Sequence, residues 1–407
     1  MAVAPRTPGD YAPTAGARAV EHLQIAAEPL RGARILHVSA AGADGRVPEL
    51  LGSLLPLAAG AGLTVDWRVL FGEPDLRATA AALHTGLRGG ESAIADADWR
   101  AYLDACEQTA RSLAGRYDLV VLHDPAALGL AAGLEEVLLA WHCHTDASCA
   151  EPDALDRVAE LADRCKVMLV PHESFAPPQI RGPRVQVAPP GIDPLDPRNL
   201  ELEPRLPGRV VRPLGVDLER PFCLQVAALD RWDDPHAAIE AFQLAKQEEP
   251  DLQLVLAGLL DPAGTEEWQA AKEVSDYATG MDGILLLTSY EGLGNLELGA
   301  LQHLARAVVE RSLREGFDLA PCEALWKRTP VVGGTGGGLP LVVRDGVDGF
   351  LTDDAGQTAA RMLELVRDHG LAVEMGRAGR ERVRDRFLVT ASLERELRAL
   401  AGTFQSA

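Results

Sequence analysis

Two successive series of short apolar runs, each run followed by a helix-like segment, constrain this chain more than any other feature. The first series includes Asp118-Leu-Val-Val-Leu-His123, and the second begins at Phe222. Continuous apolar runs of this length are typical of strands that are covered on both faces. Because strands that alternate with helices form parallel sheets, the pattern predicts an α/β fold. We expect two Rossmann-like domains whose parallel sheets face each other across a cleft.

A proline-rich stretch separates the two series. Eleven prolines fall between residues 171 and 213, a density that excludes regular helix and central strand. The chain has 407 residues, which at ~150 residues per domain allows two domains or three. The predicted organisation is a loose N-terminal arm (1–30), a first domain (31–195), a linker (196–215), a second domain (216–385) and a C-terminal helix (386–407) that packs back on the first domain.

The charge of the chain limits its partners. It carries 39 Lys and Arg against 60 Asp and Glu, a formal charge of −21. Such a chain repels nucleic acid and anionic membranes, so we expect neither as a partner. An anionic ligand would need a local pocket of backbone N–H groups or a few arginines. The expected partners are small molecules and, as an option, a second copy of the chain.

The cysteines and the apolar runs indicate which cellular compartment to expect. Six cysteines are scattered along the chain, and none forms Cys-x-x-Cys. This pattern favours reduced thiols in the cytoplasm over a disulfide framework or a zinc ribbon. No apolar run reaches the ~18–20 residues needed to cross a bilayer, and we find no secretion signal.

Two glutamates eight residues apart form the densest candidate site. If a helix starts near Leu319, Glu315 lies in the preceding loop and Glu323 lies one turn into the helix. Both would then face a ligand at a helix N-terminus, where the partial positive charge favours anions. The alternative is a solvated Glu315 and a Glu323 that only complements the helix dipole. The glycine-rich segment from Gly333 to Pro340 is either a second ligand loop or a tight turn.

Histidines and aspartates end two strands of the first series, in His123-Asp-Pro125 and in Trp141-His-Cys-His-Thr-Asp146. These side chains suit hydrogen bonding to a sugar, proton transfer or metal binding. His142, His144 and Asp146 alternate along one face of an extended chain. This alternation only weakly resembles a metal site, and we expect no metal.

With these motifs the chain resembles the retaining glycosyltransferases of GT-B fold in the family that includes sucrose synthase. The two glutamates of Glu315-Gly-Phe-Asp-Leu-Ala-Pro-Cys-Glu323 match that family's signature. The similarity runs from about Ile35 to Leu400 and narrows to the trehalose glycosyltransferring synthases. Further matching segments are Val65-Asp-Trp-Arg-Val69, Gly191-Ile-Asp-Pro-Leu195, Ser312-Leu-Arg-Glu-Gly-Phe317, Glu323-Ala-Leu-Trp-Lys327, Pro330-Val-Val-Gly-Gly334 and Asp345-Gly-Val-Asp-Gly-Phe350.

The resemblance implies transfer of a hexosyl unit from a nucleotide-diphosphate sugar to a small hydrophilic acceptor, with retention of configuration. The nucleotide sugar is a co-substrate, and neither a metal nor another cofactor is implied. The second domain would bind the donor, with Glu315 at the reacting sugar and Glu323 on the ribose. His123 of the first domain would also contact the reacting sugar. Further donor contacts are expected from Gly45, Arg46, Arg231, Gly258, Gly316, Phe317, Asp318 and Leu319. The first domain would bind the acceptor through Trp141, His144, Asp146, His84 and Arg88.

The chain departs from the family where the diphosphate is expected. By register, Ala228 and Asp233 replace the Arg and Lys that grip the phosphates. Charge-assisted phosphate contacts are strong, so their loss is costly unless Arg46 or Arg231 compensates. Asp318 replaces a Gly of the donor loop. On the acceptor side, His142 replaces an Arg, and Thr85 and Arg88 stand where the synthases have Asn and Gln.

These departures leave three functions open. The first is a retaining glycosyltransferase with a changed donor or acceptor. The second is a catalytically impaired relative that binds a sugar or serves as a partner subunit. The third is a pseudo-glycosyltransferase that couples a cyclitol or a phosphosugar. The donor base, the sugar and the acceptor are undetermined by the sequence.

Overall fold

The computed structural model describes residues 5–40, 46–70, 74–135, 137–226, 233–258, 260, 265–312 and 316–404. Gly45, Ala228, Arg231 and Glu315, all singled out above, lie outside the described residues, and of Arg46 only the helical backbone is described. The chain divides into two compact units. The first comprises Met1–Gly191 and Phe387–Ala407, and the second comprises Ile192–Arg386.

The first unit is built on a six-stranded sheet in the order β2-β1-β3-β4-β5-β6, and every neighbouring pair is parallel. All five residues of the central strand β3 are buried, as its continuous apolar run predicts. The strands are β1 (Arg34–Ser39), β2 (Thr64–Val69), β3 (Leu119–His123), β4 (Leu138–His142), β5 (Val167–Val170) and β6 (Arg184–Val187).

Helices cover this sheet, and together they enclose a core around Trp141, Tyr102 and Leu122. The helices of the first unit are α1 (Ala12–Ala15), α2 (Ala17–Ala27), α3 (Arg46–Gly60), α4 (Pro74–Leu87), α5 (Asp96–Leu113), α6 (Asp124–Leu128), α7 (Pro152–Ala162) and α16 (Val389–Phe404). The C-terminal helix α16 therefore belongs to the first unit, which confirms the predicted return of the chain.

The N-terminal segment is not the loose arm that its prolines and alanines suggested. Tyr11 and Leu23 are fully buried, and α2 packs against α16. The prolines lie where helices tolerate them, since Pro8 begins a 3-10 turn and Pro13 lies in the first turn of α1. The apolar face of α2 is thus part of the first unit's core.

The second unit repeats the parallel α/β plan with the strand order β12-β11-β10-β7-β8-β9. Its strands are β7 (Phe222–Val226), β8 (Gln253–Gly258), β9 (Ile284–Thr288), β10 (Ala307–Glu310), β11 (Val331–Gly334) and β12 (Gly349–Thr352). Its helices are α8 (Leu206–Val211), α9 (Pro235–Glu248), α10 (Thr265–Ala278), α11 (Asn295–Leu304), α12 (Ala320–Trp326), α13 (Leu339–Val342), α14 (Ala355–Arg367) and α15 (His369–Arg386). The predicted fold class, two parallel α/β domains, is confirmed.

The proline-rich stretch contains more regular structure than predicted. The strand β6 lies at the edge of the first sheet, where the flanking Pro183 and Pro189 break no ladder. The helix α8 accommodates Pro207 in its first turn, and the predicted linker 196–215 is part of the second unit. Within the described ranges, no helix is both long and apolar enough to cross a membrane.

Candidate active site

The donor loop predicted around Gly316–Leu319 lies between β10 and α12. Phe317 is buried and anchors the loop. Asp318 accepts a hydrogen bond through Oδ1 from the backbone N–H of Ala320, the first residue of α12, at 3.1 Å. A carboxylate at this point satisfies a helix N–H and complements the helix dipole. The aspartate that replaces the family's glycine therefore has a structural role at the start of α12.

Glu323 lies one turn into α12, as its spacing predicts, and its side chain is almost completely buried. Its Oε1 is 3.4 Å from Nη1 of Arg198, and its Oε2 accepts a hydrogen bond from Nε2 of Gln302 at 3.3 Å. A carboxylate can accept about four hydrogen bonds, so these two contacts leave lone pairs for a ligand. Because Glu323 is only 1% exposed, a ribose could reach it only after the surrounding side chains move.

Arg198 is a site residue that the sequence analysis did not identify. Oδ1 of Asn295, at the start of α11, accepts hydrogen bonds from Nε (3.2 Å) and Nη2 (2.8 Å) of Arg198. The amide thus orients the guanidinium toward Glu323. The available signal was its position just after the motif Gly191-Ile-Asp-Pro-Leu195. The 125 residues between Arg198 and Glu323 hid their proximity.

The glycine-rich segment after β11 packs directly on the donor loop. A Cβ on Gly338 would lie 2.0 Å from the carbonyl oxygen of Gly316, and one on Gly333 would lie 2.6 Å from the carbonyl oxygen of Glu310. Neither distance is sterically possible. Glycine is therefore required here for close approach of two backbone segments, so the segment does more than form a tight turn.

Carboxylates lie where the family's phosphate-gripping lysine is expected. Asp233 is buried beyond β7, and its Oδ1 is 3.4 Å from the hydroxyl of Ser312, which also donates to Glu310 at the end of β10. The side-chain amide of Gln225 donates to the carbonyl of Asp233 and holds it in place. Gly258 ends the neighbouring strand β8 and is buried. Among the described residues, this edge of the second sheet thus carries the carboxylates of Asp233 and Glu310, with Arg311 following Glu310 in the chain.

In the first unit, four histidines meet at the carboxyl ends of β1, β3 and β4. Nδ1 of His37 lies 3.0 Å from Nε2 of His123, and Nδ1 of His123 lies 3.0 Å from Nε2 of His144. The ring of His142 stacks on that of His144 with centroids 4.0 Å apart. We call His37, His123, His142 and His144 the histidine cluster.

The carboxylate of Glu396, in α16, contacts two members of the histidine cluster. Its Oε2 is 3.1 Å from Nδ1 of His142, and its Oε1 is 3.9 Å from Nδ1 of His37. Burial alone would raise the pKa of Glu396, but the adjacent His142 and His37 reverse this effect and lower it. Burial lowers the pKa of His37 to about 4 and those of His123 and His144 well below the usual range. These three imidazoles are therefore neutral near pH 7.

His123 and Trp141 do not have the exposure that contact with a sugar requires. His123 is fully buried, and both of its ring nitrogens face other histidines. Trp141 is also fully buried, and its Nε1 donates to the carbonyl of Asp124 at 3.2 Å. Asp124 adopts a left-handed conformation (φ 58°) and accepts a hydrogen bond from the backbone N–H of His144. A sugar could contact His123 or Trp141 only after the side chains that cover them move, so their ligand roles stay predictions.

The other acceptor-side residues lie around the same loop. Nε2 of His84, in α4, is 3.0 Å from the hydroxyl of Thr145, which follows the histidines of the β4 loop. Arg88 directly follows the last residue of α4 and is half-buried. Asp146 accepts a hydrogen bond through Oδ1 from the N–H of Ser148 at 3.0 Å. The structure therefore brings His84, His144 and Asp146 together at one edge of the first sheet.

Comparison with known proteins identifies this architecture. The sucrose-phosphate synthase of Thermosynechococcus elongatus superposes with a TM-score of 0.70 at 20% identity, covering 92% of this chain and 100% of that one. HepE of Anabaena, solved with UDP and glucose, superposes with a TM-score of 0.68 at 18% identity, with the same coverage of both chains. The chain therefore has the two-domain GT-B fold of these proteins.

The sequence comparisons narrow the class. The family model "Trehalose synthase, N-terminal domain" matches residues 37–177, and "Glycosyl transferases group 1" matches residues 210–382. A trehalose synthase of Rubrobacter xylanophilus is 36% identical over 389 residues, which cover 93% of this chain and 92% of that protein. The chain belongs to the trehalose synthase family of glycosyltransferases.

Proposed function

We propose that this protein transfers a hexosyl unit from a nucleotide-diphosphate sugar to a small hydrophilic acceptor, with retention of anomeric configuration. The observation that carries the proposal is the buried carboxylate of Glu323, oriented by Arg198 and Gln302 beside the Gly316–Leu319 loop. The chain belongs to the trehalose synthase family, and HepE, which shares its fold, was solved with UDP and glucose. A nucleotide sugar is therefore the donor class to test first.

We assign the roles in the second unit as follows. Glu323 accepts hydrogen bonds from the ribose hydroxyls through its remaining lone pairs, after the side chain of Arg198 moves away. The Gly316–Leu319 backbone, with Glu315, holds the donor sugar. The bond between the donor sugar's anomeric carbon and its diphosphate breaks, and the acceptor hydroxyl bonds to that carbon from the same face. The leaving phosphate takes the hydroxyl's proton. The protein contributes positioning and stabilisation of the leaving diphosphate, without a metal in this step.

We propose an acceptor other than glucose, with trehalose formation as the alternative. His142, the last residue of β4, stands where the resemblance places an arginine, and Nε2 of His84 lies 3.0 Å from the hydroxyl of Thr145. An imidazole is shorter than a guanidinium and lacks its fork of donors, so hydroxyl recognition changes at this point. Free cysteines, five of the six buried, are consistent with a reducing, cytoplasmic location for the reaction.

A second candidate function is favoured by Asp233. Its buried carboxylate, close to Ser312 and Glu310, would repel a diphosphate where the family places a lysine. A chain with this substitution would bind a sugar or a partner subunit without turnover. The two candidates differ in whether a nucleoside diphosphate binds at all.

Calorimetric titration with UDP, GDP and ADP separates these candidates. The proposed function predicts micromolar binding of one of them, lost in Glu323→Gln and kept in Glu374→Gln, which changes an exposed glutamate of α15. Binding to none of the three by folded protein would contradict it and favour the second candidate. With the base identified, its sugar-diphosphates are screened against polar acceptors, and the anomeric configuration of the product measured by NMR tests retention.

A further inference from the structure

Three imidazoles of the histidine cluster lie close to one another, with the ring of His142 stacked on that of His144. His123, His142 and His144 each offer one ring nitrogen, and these three atoms all lie within 4.8 Å of one another. Nδ1 of His123 and Nε2 of His144 are already 3.0 Å apart. Imidazole nitrogens bind Zn²⁺ at 2.0–2.1 Å, so a tetrahedral ion needs them about 3.3 Å apart. The pair of nitrogens therefore needs only a small displacement to share an ion.

Neighbouring side chains determine which nitrogens point inward. Nε2 of His123 faces Nδ1 of His37 at 3.0 Å, which leaves Nδ1 of His123 for the shared point. Nδ1 of His142 faces the carboxylate of Glu396 at 3.1 Å, which leaves Nε2 of that ring. A carboxylate behind a histidine is the arrangement that orients metal ligands and raises their basicity.

The carboxylate of Glu396 is buried behind His142. His142 and Glu396 are each 1% exposed. The ring nitrogens of His142 and the carboxylate oxygens of Glu396 lack well-aligned hydrogen bonds. A buried carboxylate is costly unless positive charge compensates it. A divalent cation held by the neighbouring imidazoles would supply positive charge at this point.

We propose that His123, His142 and His144 bind a divalent transition metal, with Zn²⁺ the best match, and that Glu396 holds His142 in place and balances the charge. Three histidines leave a fourth coordination position. His144 is the partly exposed member of the three, so this position opens on its side. In this arrangement Nδ1 of His123 binds the ion and Nε2 faces His37, so His123 is a metal ligand and does not contact a sugar. The inference does not rest on the proposed function, because these residues all belong to the first unit.

The test is metal binding by the full chain, purified without a polyhistidine tag and stripped with a chelator. Titration calorimetry with ZnCl₂ is expected to show one equivalent bound, and Co²⁺ is expected to give the visible absorption of a four-coordinate nitrogen site. His142→Ala and His144→Ala are each expected to weaken Zn²⁺ binding at least tenfold. Glu396→Gln is expected to weaken it about 10–100-fold, the range typical of residues that orient a ligand. His172→Gln, at an exposed histidine of another loop, is the matched control and keeps full affinity.

Two results would overturn the proposal. One is a folded wild-type chain that binds no stoichiometric Zn²⁺ or Co²⁺ up to about 100 µM. The other is binding that is equal in wild type, His142→Ala and His144→Ala, which would place the ion elsewhere. If the variants fail to fold, X-ray absorption of the zinc-loaded wild type decides, since the proposal requires three imidazole ligands. The nucleotide titration is independent of all these outcomes.

Discussion

The guanidinium of Arg198 lies 3.4 Å from the carboxylate of Glu323, in an ion pair that is nearly closed to solvent. Removing one member of such a pair leaves a buried charge without its partner. Arg198→Met is therefore expected to destabilise the second unit by about 3–5 kcal/mol. Urea unfolding of the wild type and the variant measures this loss.

A double-mutant cycle separates the pair from the fold around it. The variant carrying both Arg198→Met and Glu323→Gln removes both charges, so its loss of stability should be smaller than the sum of the single losses. Strict additivity would show that Arg198 and Glu323 do not interact, and would remove the basis for calling Arg198 an orienting residue.

Lys327 makes the stability of the second unit depend on pH. Burial lowers the pKa of Lys327 from 10.5 to about 8, with the nearby Glu323 opposing the change. Its Nζ donates to Oδ1 of Asn199 at 2.9 Å. Between about pH 8 and 10.5 the unfolded chain holds a proton that the folded chain has released. Folding stability contributed by this group therefore rises with pH across that window, by about 3 kcal/mol in total.

The measurement is the free energy of unfolding against pH for wild type and Lys327→Met. The difference between the two curves should favour the wild type increasingly from about pH 8 upward. Lys166→Met, at an exposed lysine, is the control and should follow the wild-type curve. A constant difference across this pH range would show that Lys327 keeps an ordinary pKa.

Close backbone packing makes Gly338 sensitive to a single methyl group. The Cβ of Gly338→Ala would lie 2.0 Å from the carbonyl oxygen of Gly316, so the donor loop must shift. We expect at least tenfold weaker binding of whichever nucleotide the titration identifies, because small misplacements of a positioned ligand are costly. Gly52→Ala, where the added Cβ meets no atom within 4 Å, is the control. It should leave nucleotide affinity unchanged and stabilise α3 by up to about 1 kcal/mol. Equal affinity in Gly338→Ala and wild type would mean that the donor loop does not depend on this contact.

Two residues of α2 test whether the N-terminal segment is part of the core. Leu23 is fully buried and Ile25 is 52% exposed, although they are neighbours on one helix. Leu23→Ala is expected to destabilise the first unit by about 2–5 kcal/mol, because it leaves a cavity in packed surroundings. Ile25→Ala should change stability by about 0.5 kcal/mol or less. Thermal unfolding of both variants measures the contrast, and similar behaviour of the two would support the loose arm that the sequence suggested.

Most of the sheet strands were predictable because their residues carry the signal themselves. The run from Leu119 to His123 is apolar throughout, and all of it is buried. The edge strand β6 gave a weaker signal. It lies among prolines, and its residues do not alternate between buried and exposed. In the described sheet only one side of β6 pairs with another strand. The helix α8 was missed for a related reason, because proline in a first turn looks the same in sequence as proline in a loop.

The site was predictable where its residues are close in the chain. The eight-residue spacing placed Glu323 one turn into a helix, and the structure agrees. The exposure of a side chain was not predictable from its neighbours in sequence. Trp141 and His123 stand at strand ends that are typical of ligand sites, yet both are fully buried. Trp141 packs in the core with Tyr102, and His123 lies between the rings of His37 and His144. The residues that cover or orient them lie far away in the sequence.

Local pattern was therefore sufficient for the fold class, the family and the position of Glu323, because periodicity and motif spacing depend on neighbouring residues. Contacts between distant segments had to come from the folded chain. Arg198 reaches Glu323 across 125 residues, and Glu396 reaches His142 only because the last helix returns to the first sheet. Burial and charge pairing depend on such long-range packing, and they decide which of the predicted residues are open to a ligand and which hold the fold together.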